Sequence, residues 1–120
     1  MDRRKELKLA YKQNPQPMGV YLYKNNINGK ILVGSSMNLP GKKNSIDFQL
    51  KMGGHSNKAF QADYNLLGPE AFTFEILETL KYQDITPDDW RNKVNELEEK
   101  WLKKLKPYGE LGYNKEKAEK

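Results

Sequence analysis

The chain has 120 residues, of which 37% are hydrophobic and 31% charged, with a net charge of +5 and no cysteine. That length supports one core and not two, and the lack of cysteine excludes disulfide partners, thiolate nucleophiles and cysteine-ligated zinc. No segment approaches the roughly 20 apolar residues that span a bilayer. The first fifteen residues are charged and lack the apolar run of a signal peptide. The expectation is a cytoplasmic protein with no membrane partner, whose basic surface suits a polyanion.

Residues 1–18 read as a basic arm. Leu7, Ala10 and Tyr11 share one face of a short helix over residues 2–11, and Arg3, Arg4, Lys5, Lys8 and Lys12 make it positive. The arm is either solvated or a phosphate contact. Asn14-Pro15-Gln16-Pro17 ends it. Residues 19–24 alternate, with Val20 and Leu22 facing one way and Tyr21 and Tyr23 the other, which predicts a half-buried strand. Asn28-Gly29 is a hairpin signal, and Ile31-Leu32-Val33 begins a second strand.

Residues 35–45, broken by Pro40 and Gly41, are expected to be a loop. Residues 47–52 form a short helix ended by Gly53-Gly54, with Phe48 and Leu50 available for packing. A better helix starts at Ser56 or Asn57 and places Phe60, Tyr64 and Leu67 on one face, until Gly68-Pro69 stops it. Residues 72–79 alternate as a third strand. Thr86-Pro87-Asp88-Asp89 starts a long helix with an N-cap oxygen, a proline and acids near the positive dipole end. Pro107 ends it, and residues 115–120 form a charged tail. These elements give an α+β domain over residues 19–114: a small three-stranded antiparallel sheet flanked by helices.

One carboxylate stands out. At about 100° per residue, Leu97, Trp90, Trp101, Val94, Leu105 and Leu102 fill a continuous apolar arc of the last helix, and Glu98 falls inside it. A carboxylate on the core side must be paired or bound to a metal. Glu98 is either an edge residue satisfied by a lysine or water, or a metal ligand or general base at the rim of a cleft.

From Gly19 to Asn114 the chain resembles the GIY-YIG nuclease family. The first half-motif stands as Gly19-Val20-Tyr21. The second stands as Leu32-Val33-Gly34, followed by Ser35, Ser36 and Asn38-Leu39. His55-Ser56-Asn57-Lys58, Gln61, Tyr64-Asn65 and Gly68 look like the middle helix of phage and intron homing members. The stretch 72–78 looks like the third strand. Glu96-Leu97-Glu98, Trp101, Leu105-Lys106-Pro107 and Gly112-Tyr113-Asn114 look like the closing helix and end.

The resemblance implies hydrolysis of a DNA phosphodiester bond with one Mg²⁺ or Mn²⁺ held by Glu98. It implies that Tyr21 is the general base or positions the nucleophile, and that Asn114 is a supporting partner. Lys42, with Lys43 beside it, stands where the family has an arginine; lysine supplies charge without the bidentate fork. Leu32 replaces a tyrosine, and Ile46 stands where a histidine or tyrosine is usual. His55, the sole histidine, is either a cap or a phosphate or water contact. Ser35, Lys58 and Gln61 are candidate nucleic-acid contacts. The alternatives are a DNA-binding module without chemistry, and a protein-interaction domain whose charge serves solubility.

Overall fold

Asn25 organises the first hairpin. Its side chain is fully buried; Oδ1 accepts from the Ile27 amide at 2.9 Å, and Nδ2 donates to Tyr113 Oη at 3.0 Å. Gly29, at φ 80°, takes the left-handed position that glycine adopts without strain. The flanking strands, β1 (Gly19–Asn25) and β2 (Ile31–Ser36), pair antiparallel with Tyr21 opposite Gly34. The structure is a computed structural model describing residues 15–115. The helix expected over residues 2–11 and most of the tail lie outside the described residues.

The third strand, β3 (Phe72–Thr79), pairs antiparallel on the other side of β1, giving the order β2-β1-β3. This is the three-stranded antiparallel sheet that the alternating segments predict. The central strand differs from expectation in being buried on both faces rather than one. Its alternation separates two cores from each other, not a core from water. Val20, Leu22 and Val33 belong to one core; Tyr21 and Tyr23 belong to the other. Between Val20 and Tyr21 the pairing jumps from Glu78 to Ile76, so Leu77 is the extra residue of a bulge on β3. Leu77 packs in the Val20 core, and Glu78 accepts hydrogen bonds from Trp101 Nε1 and Lys100 Nζ, both at 2.9 Å.

Three helices cover the sheet: α1 (Leu39–Met52), α2 (Lys58–Leu67) and α3 (Trp90–Leu105). The loop expected over residues 35–45 is replaced by the start of α1. Asn38 caps it, with Oδ1 accepting from the Gly41 amide at 3.0 Å. Pro40 sits in the first turn, where a missing N–H leaves no bond unmade. A Cβ at Gly41 would stand 2.6 Å from the Asn38 amide nitrogen. The Pro-Gly pair is therefore part of a helix start. Leu39, Ile46 and Leu50 are buried on the tyrosine face of the sheet, whereas Phe48 is 64% exposed and does not pack as expected.

Asn57 caps α2, its Oδ1 accepting from the Phe60 amide at 3.0 Å, and Phe60 is fully buried among Tyr23, His55, Phe72 and Tyr113. Before α3 the segment Pro87–Asp89 makes one 3₁₀ turn. The arc of α3 packs as its periodicity predicts. Trp90 and Val94 join Met18 in a small cluster, and Leu97, Trp101, Leu102 and Leu105 cover Val20, Leu22 and Val33. After Pro107 the chain returns to β2, where the Tyr113 amide donates to Ile31 O at 2.9 Å.

Candidate active site at the free edge of the second strand

β2 is an edge strand, so side chains from both faces of the sheet can meet beside it. Tyr21 lies opposite Gly34, and its phenol extends across that glycine: a Cβ at Gly34 would lie 2.4 Å from Tyr21 Oη. Glycine is thus required for the hydroxyl to reach the edge. On the opposite face the next residue, Ser35, donates from Oγ to Glu98 Oε1 at 3.1 Å. Glu98 is half-buried on α3. Among the described residues its hydrogen-bond partner is a serine hydroxyl and not a lysine. Its other oxygen accepts no hydrogen bond from the described residues. Burial, and secondarily the Glu98 charge, push the Tyr21 phenol up to about 12.

A cleft of about 260 Å³ opens beside Tyr21, lined by Leu32, Lys42, Ile46, Gln49 and His55 among others. Lys42, Ile46 and Gln49 follow one flank of α1 at helical spacing. A loop followed by a separate short helix hides the relation of Gln49 to the cleft; on one continuous helix it follows Lys42 by about two turns. Lys43 is carried to the other flank. There its Nζ pairs with Asp47 at 2.6 Å, and Asp47 also accepts from Tyr23 Oη at 2.8 Å. That flank borders a different groove, lined by Tyr23, Tyr64, Phe72 and Phe74. Two lysines adjacent in sequence thus serve opposite sides of one helix, and only Lys42 joins Tyr21.

His55 enters the cleft with one nitrogen committed. Nδ1 accepts from the Asn57 amide at 3.0 Å, so in the neutral ring the proton resides on Nε2. Burial, then the Lys42 charge, lower its pKa. The ring is neutral at pH 7 and offers a donor, and it also shapes the start of α2. Gln61 corrects the sequence expectation of a nucleic-acid contact. It is 6% exposed, its Oε1 accepts from the His55 amide at 3.0 Å, and its Nε2 donates to Leu50 O and Asn65 Oδ1, both at 2.9 Å. Both amide hydrogens of Gln61 are thus spent inside the protein, and its side chain is buried away from a ligand.

Lys58 is exposed in the first turn of α2. Asn114 supports the edge directly: Oδ1 accepts from the Val33 amide and Nδ2 donates to Val33 O, each at 2.8 Å. Its side-chain amide occupies the place of a neighbouring strand residue and closes part of the free edge.

No family-level sequence profile matches the chain, and no curated protein sequence does. Two solved structures do. The catalytic domain of the homing endonuclease I-TevI is 30% identical with a TM-score of 0.65, over 81% of this chain and 96% of that one. A glutamate-to-alanine mutant of the I-TevI catalytic domain is 28% identical with a TM-score of 0.67, over 82% and 93%. The chain belongs to the GIY-YIG nuclease family.

Within the GIY-YIG fold the departures of this chain are concentrated in space. Leu32 and Ile46 both line the Tyr21 cleft and both pack in the tyrosine core. Together they make an apolar wall. Since both positions are apolar, neither leaves a buried polar group without a partner, which would cost about 1–3 kcal/mol. The polar groups of the cleft lie elsewhere, on Tyr21, Lys42, Gln49, His55, Ser56 and Asn57. Among the described residues no three acidic or histidine side chains form a chelating cluster. The donor set at the edge is one carboxylate with an open oxygen. That chemistry fits a hard cation such as Mg²⁺, which keeps water and phosphate oxygens as its other ligands, and does not fit tetrahedral zinc.

Proposed function

We propose that this protein hydrolyses phosphodiester bonds in DNA in a divalent-metal-dependent reaction, at the edge formed by Gly34 and Ser35. The observation that carries the reading is the convergence of Tyr21 and Glu98 on that edge from opposite faces of the sheet. Similarity to the catalytic domain of a homing endonuclease supports DNA as the substrate class. Glu98 would hold Mg²⁺ or Mn²⁺, with Ser35 fixing the carboxylate. When bound, such an ion withdraws charge from the phosphate and stabilises the leaving oxygen.

The chain's own groups supply the rest. Tyr21, with its phenol raised to about 12, retains its proton at pH 7. It orients the attacking water or a phosphate oxygen by hydrogen bonding. Lys42 brings positive charge to the cleft in place of the family's arginine, gripping one oxygen where arginine grips two. His55 donates from Nε2 to a phosphate oxygen. Leu32 and Ile46 exclude water from one side of the cleft, which strengthens these contacts.

The deciding experiment incubates the protein with supercoiled, linear and branched DNA and Mg²⁺ or Mn²⁺, beside Glu98→Ala. Metal-dependent cutting that vanishes in the variant supports the reading. Cutting that persists in the variant removes Glu98 from the chemistry. The apolar wall at Leu32 and Ile46 favours one rival, a DNA-binding protein that no longer cuts. Its signature is salt-sensitive binding with no cleavage under any metal.

A further inference from the structure

Two clefts meet at the start of α2. The Tyr21 cleft and a second one of about 350 Å³ have Ser56 and Asn57 as a common wall. Lys30, Lys58 and Lys115 line the second cleft, together with Gly109, Gly112 and Tyr113. These lysines come from the end of the β1–β2 turn, the first turn of α2 and the segment after Tyr113. Only the tertiary fold brings them together. No acidic side chain lines the cleft, and none of the three lysines is in an ion pair among the described residues. Asp63, the acid that reaches Tyr113, is committed to its hydroxyl at 2.6 Å.

The walls are tied to one another. Asn57 caps α2 with its oxygen and donates from Nδ2 to Tyr113 O at 2.7 Å. Gly112 lies so close to the chain that a Cβ there would stand 2.4 Å from Pro107 O and 2.5 Å from Ile31 O. Lys30 Nζ sits 5.7 Å from the centre of the Tyr113 ring. Three like charges in one cleft, with no acid among them, repel one another, and a polyanion relieves that repulsion.

We propose that this second cleft is a phosphate subsite. It binds backbone phosphates of the DNA strand that continues from the Tyr21 cleft past Ser56 and Asn57, so it sets affinity and strand direction while the chemistry stays at Tyr21 and Glu98. The inference rests on the DNA reading above. The subsite recognises phosphate and no base, so it tolerates any sequence.

The test uses the full chain carrying Glu98→Ala, so that DNA is held and not cut. A fluorescent duplex is titrated at salt concentrations spanning roughly a fourfold range around physiological ionic strength. K30A/K58A/K115A is compared with K51A/K81A/K103A, which removes the same charge away from both the Tyr21 cleft and the lysine cleft. The first triple is expected to weaken binding on the order of 10- to 100-fold and to flatten the log–log salt dependence by about 2.7, at about 0.9 per lost phosphate contact. The second is expected to change the slope by less than about 1. Should the first triple melt lower because Lys30 is half-buried, the exposed pair K58A/K115A carries the test, with a slope change of about 1.8.

Equal effects of the two triples would overturn the subsite, because the lysines would then act through net charge alone. If the unsubstituted chain still cuts DNA, only the subsite has failed. If it neither cuts DNA nor binds it in a salt-sensitive way, the DNA reading has failed and the subsite with it.

Discussion

The two faces of the sheet are built on different principles. Under α3 the core is aliphatic with a single tryptophan: Val20, Leu22 and Val33 meet Leu97, Trp101, Leu102 and Leu105. Under α1 and α2 it is aromatic and hydroxylated, with Tyr21, Tyr23 and Tyr113 set around Phe60 and Phe74. Two of those hydroxyls are tied to acids, Tyr23 to Asp47 and Tyr113 to Asp63. The third, Tyr21, is directed over Gly34 toward the edge instead. The α3 face contributes one polar group to the same edge, Glu98. The apolar face therefore holds the Glu98 carboxylate at this edge, and the aromatic face directs the Tyr21 phenol toward the same edge. Apolar packing gives rigidity there without competing polar partners.

Substitutions can break this comparison, starting with the largest effect. Glu98→Ala removes the carboxylate that α3 brings to the edge beside Ser35. It is expected to lower metal-dependent cleavage at least about 100-fold, with thermal unfolding close to that of the unsubstituted chain, as a half-exposed carboxylate with one hydroxyl partner predicts. Gly34→Ala attacks the other half by putting a methyl group where the phenol passes. Displacing Tyr21 should cost about 1–3 kcal/mol of stability and reduce cleavage about 10- to 100-fold; urea unfolding and nicking assays read the two effects. Retained activity at full stability would show that the phenol does not need the edge.

Asn114→Ala tests whether the edge itself is supported. Losing two hydrogen bonds to Val33 should cost about 2 kcal/mol in denaturant unfolding. The two flanks of α1 give a smaller, sharper contrast. Lys42→Ala should lower cleavage about 10-fold through lost charge at the cleft. Lys43→Ala should leave cleavage within about twofold and cost at most about 1 kcal/mol, as an exposed ion pair does. Equal effects would mean that α1 does not separate the two lysines functionally.

The smallest effect concerns pH. His55 has a folded pKa below its unfolded value, so the unfolded chain takes up the proton first as pH falls. Its contribution to stability is present above the unfolded value of about 6.5 and is lost as pH falls through that value toward the lower folded one. Urea midpoints measured at neutral and mildly acidic pH should fall less in His55→Gln than in the unsubstituted chain. An identical fall would assign the acid sensitivity to other groups.

Periodicity and local chemistry determined much of this protein without help. The three strands, the start of α2 at Ser56 or Asn57, the Gly53 and Gly68 stops and the apolar arc of α3 follow from side-chain alternation, helical spacing and turn residues, which are properties of neighbouring residues. Glu98 was conspicuous for the same reason, since one charge inside a continuous apolar face is visible along a single helix. The start of α1 was not legible, because Pro40 and Gly41 break a helix in its interior and suit it in the first turn. Only the Asn38 cap and burial of Leu39 decide between these. Nor could the sequence tell that β1 is buried on both faces, that Gln61 spends its amide on Leu50 and His55, or that Lys42 and Lys43 part company. Burial and partnership depend on what other segments bring to a residue, and the chain's local pattern carries no record of that. The meeting of Tyr21 with Glu98, and of Lys30 with Lys58 and Lys115, is decided by the tertiary structure alone, because each joins residues that only the sheet and its covering helices bring within reach.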